Sequence, residues 1–136
     1  MKYLLLPFVS WCLAGGCKFL VNYLRFGKEA KRLIGYGGFP STHTTVLSSV
    51  VVTLGLEHGF QTPEFSFALG VLVLLMIDAH GLRRKVGAQA ERINQLARQC
   101  GLEEMPPLRE RMGHSWGEIF GGLILGSGIG WAVSLM

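Results

Sequence analysis

The sequence predicts an all-α integral membrane bundle: about four transmembrane helices plus one amphipathic cytoplasmic helix, in a single domain over residues 1–136. Three observations carry this prediction. Only 16% of the residues are charged while 49% are hydrophobic, whereas soluble domains average about 25% charged residues. Apolar runs recur along the chain at lengths near the roughly 20 residues that cross a bilayer as a helix. Lys and Arg gather in two of the segments between those runs.

The first run covers residues 3–24, with Pro7 in its opening turns, where proline is tolerated. No signal-peptidase site follows it, so an uncleaved span is expected. A basic, glycine-broken loop, RFGKEAKRLIGYGGF, comes next. The second span is expected over residues 41–56. It is short for a crossing, which suggests that its polar start lies in a protein-lined cavity. After the turn EHGFQTPE a third span is expected over residues 65–79. Val86, Ala90, Ile93, Ala97 and Cys100 then recur at helical spacing. Lys85, Glu91, Arg92, Gln95 and Arg98 occupy other faces, the pattern of a helix lying on the membrane or capping the bundle. Pro106 and Pro107 end it. The fourth span is expected over residues 114–135. It carries glycines at spacing four, 113/117/121 and 122/126/130. Such rows allow close helix approach in lipid and offer a face for homo-oligomerisation.

Arg25, Lys28, Lys31 and Arg32 follow span one. Arg83, Arg84, Lys85, Arg92, Arg98, Arg109 and Arg111 follow span three. The loop over residues 57–64 has neither Lys nor Arg. By the positive-inside rule both basic loops face the cytoplasm and both termini face away. This topology accounts for the net charge of +4 without nucleic-acid binding. The three cysteines, Cys12, Cys17 and Cys100, have no disulfide-like spacing.

Ionisable residues at membrane depth are expensive and mark functional sites. Here they share one level, the cytoplasmic ends of the spans. Lys18 and Arg25 are seven residues apart, on one helix face. Ser41, Thr42 and His43 open span two, in the stretch GGFPSTHTT. Asp78 closes span three. His114 and Glu118 open span four at spacing four, where a carboxylate can accept from an imidazole. Each has a plainer role available: snorkelling for Lys18, membrane anchoring for Arg25, helix capping for Ser41 and Thr42, a first-turn dipole contact for Glu118, and ordinary interfacial histidines. His58 and His80 carry no assignment. Taken together, two cations and two helix N-termini suit a phosphate group. A carboxylate-paired histidine can attack phosphorus while a second histidine protonates the leaving oxygen. The same set, His43, Asp78, His114 and Glu118, also has the ligand types of a divalent-metal site, although the neighbouring Lys and Arg would repel a cation.

These residues resemble the motifs of the type-2 phosphatidic acid phosphatase superfamily, which includes the vanadium haloperoxidases. The pattern there is Lys-x6-Arg-Pro, Pro-Ser-Gly-His, and Ser-Arg-x5-His-x3-Asp. Lys18 and Arg25 keep the first spacing, with Phe26 for the proline. Pro40, Ser41, Thr42 and His43 match the second, with Thr42 for glycine. His114 and Glu118 match the end of the third, with Glu for Asp. Pro107 and Leu108 stand where Ser-Arg would, and Arg109 is one residue too near the histidine. Through GGFPSTHTT, DAHGLRRKVGAQAERIN and MGHSWGEIFGGLILG the chain is most similar to the small divergent branch of that superfamily.

The resemblance implies a lipid phosphatase without a cofactor or metal. The parent family usually has six spans and often faces outward, whereas the charge asymmetry here puts the site on the cytoplasmic side. The expected substrate is therefore a phosphorylated inner-leaflet lipid such as phosphatidylglycerol phosphate, phosphatidic acid or an isoprenyl phosphate or diphosphate. The resemblance also implies His114 as the nucleophile, Glu118 as its orienting partner and His43 as the general acid. Lys18, Arg25, Ser41 and Thr42 would bind phosphate oxygens. Arg83, beside Asp78, or Arg84 or Arg109 would replace the missing motif arginine. A lipid-binding or transport protein that keeps the fold without turnover is the non-enzymatic alternative.

Overall fold

In a computed structural model, which describes residues 1–27, 38–102 and 106–136, the chain forms five helices in the order α1 (Lys2–Phe26), α2 (Thr42–His58), α3 (Pro63–His80), α4 (Leu82–Gln99) and α5 (Trp116–Ser134). No strand occurs among the described residues. The basic residues Lys28, Lys31 and Arg32 lie outside them. The boundaries of α1, α2, α3 and α5 fall within two residues of the apolar runs, and side-chain caps explain three of the starts. Ser41 caps α2 and Thr62 caps α3, with Pro63 in its first turn. Ser115 caps α5 in a reciprocal capping box with Glu118.

Helix α2 is central: α5 and α1 pack on one side of it and α3 on another, and its interface with α5 is the most extensive in the molecule. That interface is built from small residues. A Cβ at Gly122 would sit 2.6 Å from the Ser41 carbonyl oxygen, one at Gly126 2.3 Å from the Thr45 carbonyl, and one at Gly130 2.5 Å from the Ser49 carbonyl. Only glycine lets the two backbones approach so closely. The 122/126/130 row is therefore filled by α2 of the same chain. Hydroxyls line the contact: Ser48 Oγ and Thr53 Oγ1 donate back to the Thr44 and Ser49 carbonyls at 2.7 and 2.9 Å and also reach the Gly122 and Gly130 carbonyls of α5 at 3.3 and 3.1 Å. Ser49 meets Ser10 of α1 at 2.8 Å. In a bundle each such interhelical bond contributes about 0.6 kcal/mol. The α3 side of α2 is apolar, with Val51, Ala68 and Leu72 buried among Leu47, Leu54, Phe65, Met76 and Leu123.

The outward surface is apolar as well. Leu74 is 68% exposed and Ile124 76%, with Phe67 and Ile77 also exposed. Such a surface needs hydrocarbon around it. Two helical segments, Lys2–Phe26 and Pro63–Gln99, are long and apolar enough to cross a membrane, and little of either apolar stretch is buried in protein. Helix α2, at 17 residues, spans about 25 Å at 1.5 Å per residue, short of a hydrocarbon core of about 30 Å.

Helix α4 meets the rest of the protein through a stripe of small residues. Gly87, Ala90 and Asn94 are buried, while Val86, Ile93 and Cys100 are exposed. The buried stripe shares Ala90 with the apolar periodicity and otherwise lies one residue along, against segment 106–113, which leaves Val86 and Ile93 outward as for a helix lying on the membrane.

Candidate functional site

The N-termini of α2 and α5 lie side by side. Ser41 N–H donates to the Glu118 carbonyl at 2.8 Å, and the Gly122 approach brings the first turns together. This pairing places two imidazoles, 71 residues apart in sequence, next to each other. The ring centroids of His43 and His114 are 6.3 Å apart, with the planes inclined at 58°.

His114 immediately precedes α5 and is held from several directions. Its N–H donates to the Ala79 carbonyl at 2.9 Å, and its carbonyl accepts from His80 Nδ1 at 3.3 Å. Its ring is nearly buried, with Nδ1 3.3 Å from Glu118 Oε2. The same carboxylate oxygen accepts from Ser115 N–H at 2.8 Å, so the capping box fixes the carboxylate that orients the imidazole. With Nδ1–H donated to Glu118, Nε2 carries the lone pair. His43, on the first turn of α2, is more exposed.

Both rings line a cavity of about 800 Å³ that has two distinct ends. The polar end holds Lys18, Thr42, His43, Arg83, Arg109, Arg111 and His114. The apolar end holds Pro7, Phe8, Trp11, Val46, Leu47 and Leu75. Phe8 and Lys18 are ten residues apart on α1, about 15 Å along the axis, so the cavity runs well down the bundle. Helix α2 forms its floor; α1 and α3 flank it without an extensive interface of their own. Lys18 and Arg83 act electrostatically on both imidazoles. The polar end is therefore cationic, with Glu118 behind His114 and Asp78 paired to Arg83.

Several predicted site residues sit elsewhere. Ser41 is fully buried; its Oγ accepts from Thr44 Oγ1 at 2.9 Å and caps the helix, off the cavity wall. Arg25 and Arg84 are exposed and do not line the cavity. Asp78 is engaged by Arg83 Nε at 2.5 Å, beside the cavity rather than in its lining. Of the arginines proposed to replace the motif residue, Arg83 and Arg109 line the cavity and Arg84 does not. Among the described residues, no three His, Cys, Asp or Glu side chains are grouped to hold a metal ion. Asp78 turns to Arg83 and Glu118 to Ser115, so the four-ligand set is not assembled.

Sequence reasoning missed Arg111, the α1 residues of the apolar end, and the two groups that hold segment 106–114: His80, behind the His114 carbonyl, and Asn94 on α4. One signal for Asn94 was present. Gly87, Ala90 and Asn94 form a small-residue stripe at spacings three and four in an otherwise long-chained, polar helix.

No solved structure matches the chain. A Bacillus subtilis (strain 168) protein described as the uncharacterized membrane protein YuiD is 31% identical over a 104-residue alignment that covers 66% of each chain. The chain thus spans about two thirds of that relative's length. The family model described as the Divergent PAP2 family matches residues 1–129, which include both helix N-termini and every cavity-lining residue. With its apolar exterior and two helices able to cross a bilayer, the chain is a membrane-associated member of the divergent PAP2 family.

Proposed function

We propose that the protein is a multi-pass membrane phosphatase that removes a phosphoryl group from a lipid phosphate without a metal, through a phosphohistidine. The observation that carries this reading is the pair of imidazoles, 6.3 Å apart, at the cationic end of a cavity whose other end is apolar. An amphiphile with a phosphate head and a hydrocarbon tail matches both ends. Inner-leaflet phosphatidic acid, phosphatidylglycerol phosphate and isoprenyl phosphates have this form.

In the proposed reaction, Lys18, Thr42, Arg83 and Arg109 hold the non-bridging phosphate oxygens. His114 Nε2 attacks phosphorus in line with the ester oxygen. The N–P bond forms as the P–O bond breaks, and His43 gives its proton to the departing alkoxide. Glu118 stabilises the charge that develops on the His114 ring. Water, deprotonated by His43, then attacks the phosphohistidine; inorganic phosphate leaves and both histidines return to their starting states. Phosphoryl transfer needs mainly positioning and charge neutralisation, which the cationic end supplies. Ser41 contributes by capping and fixing the turn that carries His43.

In the membrane we place four helices, α1, α2, α3 and α5, across the bilayer. The polar ends of α2 and α5 would lie at the cytoplasmic level marked by Arg83, Arg84 and Lys85, so that the site opens to the cytoplasm and the inner leaflet. Helices α2 and α5 pack against each other through Ser, Thr and Gly residues.

The reading is tested by phosphate release from a panel of lipid phosphates by the detergent-purified protein, with and without His114→Ala. Release that survives excess chelator, stops with orthovanadate and is lost in the variant supports it. Release that stops with chelator, or continues in the variant, sinks it. Lipid binding without release would point to the non-enzymatic alternative.

A further inference from the structure

Residues 106–113, neither helix nor strand, lead into His114 and end on a glycine turn at Gly113, with φ +82°. Within them Met112 N–H donates to the Glu110 carbonyl at 3.0 Å, a tight turn centred on Arg111. In this strap the Leu108 backbone and the Glu110 side chain bond to α4, while Arg109, Arg111, Met112 and Gly113 line the cavity. One side chain organises the arrangement. Asn94, only 7% exposed, donates from Nδ2 to the Leu108 carbonyl and to Glu110 Oε1, each at 2.8 Å. Its Oδ1 accepts from Leu108 N–H, also at 2.8 Å. The amide thus replaces a backbone partner for Leu108 in both directions and, through Leu108 and Glu110, ties the strap to α4 on either side of Arg109. Gly87, two turns earlier on α4, lets the strap lie directly on the helix: a Cβ there would sit 2.3 Å from the Glu110 carbonyl oxygen.

We propose that Asn94 is a positioning residue that pins this strap so that Arg109 and Arg111 close the phosphate end of the cavity, Arg111 joining Arg109 as an anion-binding group. The proposal rests on the reading of the cavity as a phosphate site. It gives the chain, beside Arg83 of α4, a second source for the cation of the absent motif arginine: a strap tied to α4. His114, at the end of the strap, has anchors of its own on Ala79 and His80, so releasing the strap disturbs anion capture rather than the imidazole pair.

The test is limited trypsinolysis of the detergent-solubilised full chain, read at the bonds after Arg109 and Arg111, with and without orthovanadate as phosphate probe. The wild type should be cut slowly, and more slowly still with vanadate. Asn94→Ala should be cut about tenfold faster at both bonds, because opening the strap now breaks fewer buried hydrogen bonds, and vanadate should no longer shield it. Gly87→Ala, which pushes the strap off α4 from a second point, should behave alike. Gln95→Ala, on the exposed side of α4, should match the wild type. Unchanged elution and helical circular dichroism show that the variants are folded. Where lipid phosphate is hydrolysed, KM should rise about tenfold in Asn94→Ala with kcat held within about twofold. Wild-type cutting rates in Asn94→Ala, vanadate shielding retained in that variant, or no shielding of the wild type would each overturn the proposal. A vanadate-shielded strap in a wild type that releases no phosphate would sink the phosphatase reading and leave the strap standing.

Discussion

Glu118 serves two purposes through one oxygen, and variants can separate them. Its carboxylate completes the capping box of α5 and also accepts from His114 Nδ1. Glu118→Gln keeps an acceptor for Ser115 N–H, so the melting temperature in detergent should stay near that of the wild type. Turnover should fall roughly 10²-fold, because the charge behind the imidazole is gone. Ser115→Ala should do the reverse, costing about 1 kcal/mol of stability while leaving the histidine pair in contact. Equal losses of stability and turnover in both variants would contradict the division. The two histidines also set the pH dependence. His114 must be neutral to attack, so rate rises with pH through that titration. His43 must be protonated to release the leaving group, so rate falls with pH through its own, giving a bell whose limbs belong to the coupled pair. A flat profile between about pH 5 and 9 would contradict two histidines in these roles. At this scale the histidines and Glu118 were legible in the sequence, because helix-end motifs state residue type and spacing together. Arg111 and Asn94 were not, since the bonds that place them span 14 and 16 residues and join a helix to a segment with no periodicity.

Among the elements, the α2–α5 pair determines whether the site exists, because it alone brings His43 to His114. Its glycine row has no room to give: a Cβ at Gly126 meets Ser48 Oγ and the Thr45 carbonyl well inside van der Waals contact. Gly126→Ala should therefore cost about 1–3 kcal/mol in thermal unfolding, and it should lower turnover although residue 126 is two helical turns from Glu118. Gly128→Ala, at a position with nothing within 4 Å, is the matched control and should be neutral. Equal melting temperatures for the two would contradict the packing account. The glycine row was legible as a packing surface, but not as one already used within the chain. For α4, apolar periodicity pointed to Val86 and Ile93, whereas the structure buries Gly87, Ala90 and Asn94. In lipid, apolar side chains have no reason to turn inward, so periodicity reports the hydrocarbon or interfacial side as readily as the protein side.

For the whole molecule, the clustering of cations with the α2 and α5 N-termini gives a topological expectation. Cys100, exposed just beyond α4, should react with a membrane-impermeant maleimide in inverted membrane vesicles and not in intact cells. Labelling from the outside would place the catalytic end in the wrong leaflet. The all-helical fold was legible because length and composition bound it tightly. The cavity was not, because its apolar end draws on Pro7, Phe8 and Trp11, which look like any lipid-facing residues of a first span. The central claim is that His114 carries the phosphoryl group between lipid and water. Its most direct test is mass spectrometry of the His114 peptide after rapid alkaline quench of the enzyme turning over a lipid phosphate. The account predicts a phosphoryl group on His114, absent in chase with unphosphorylated lipid and undetectable in Glu118→Gln at the same quench time. Phosphate release with an unmodified His114 peptide at every quench time would contradict it.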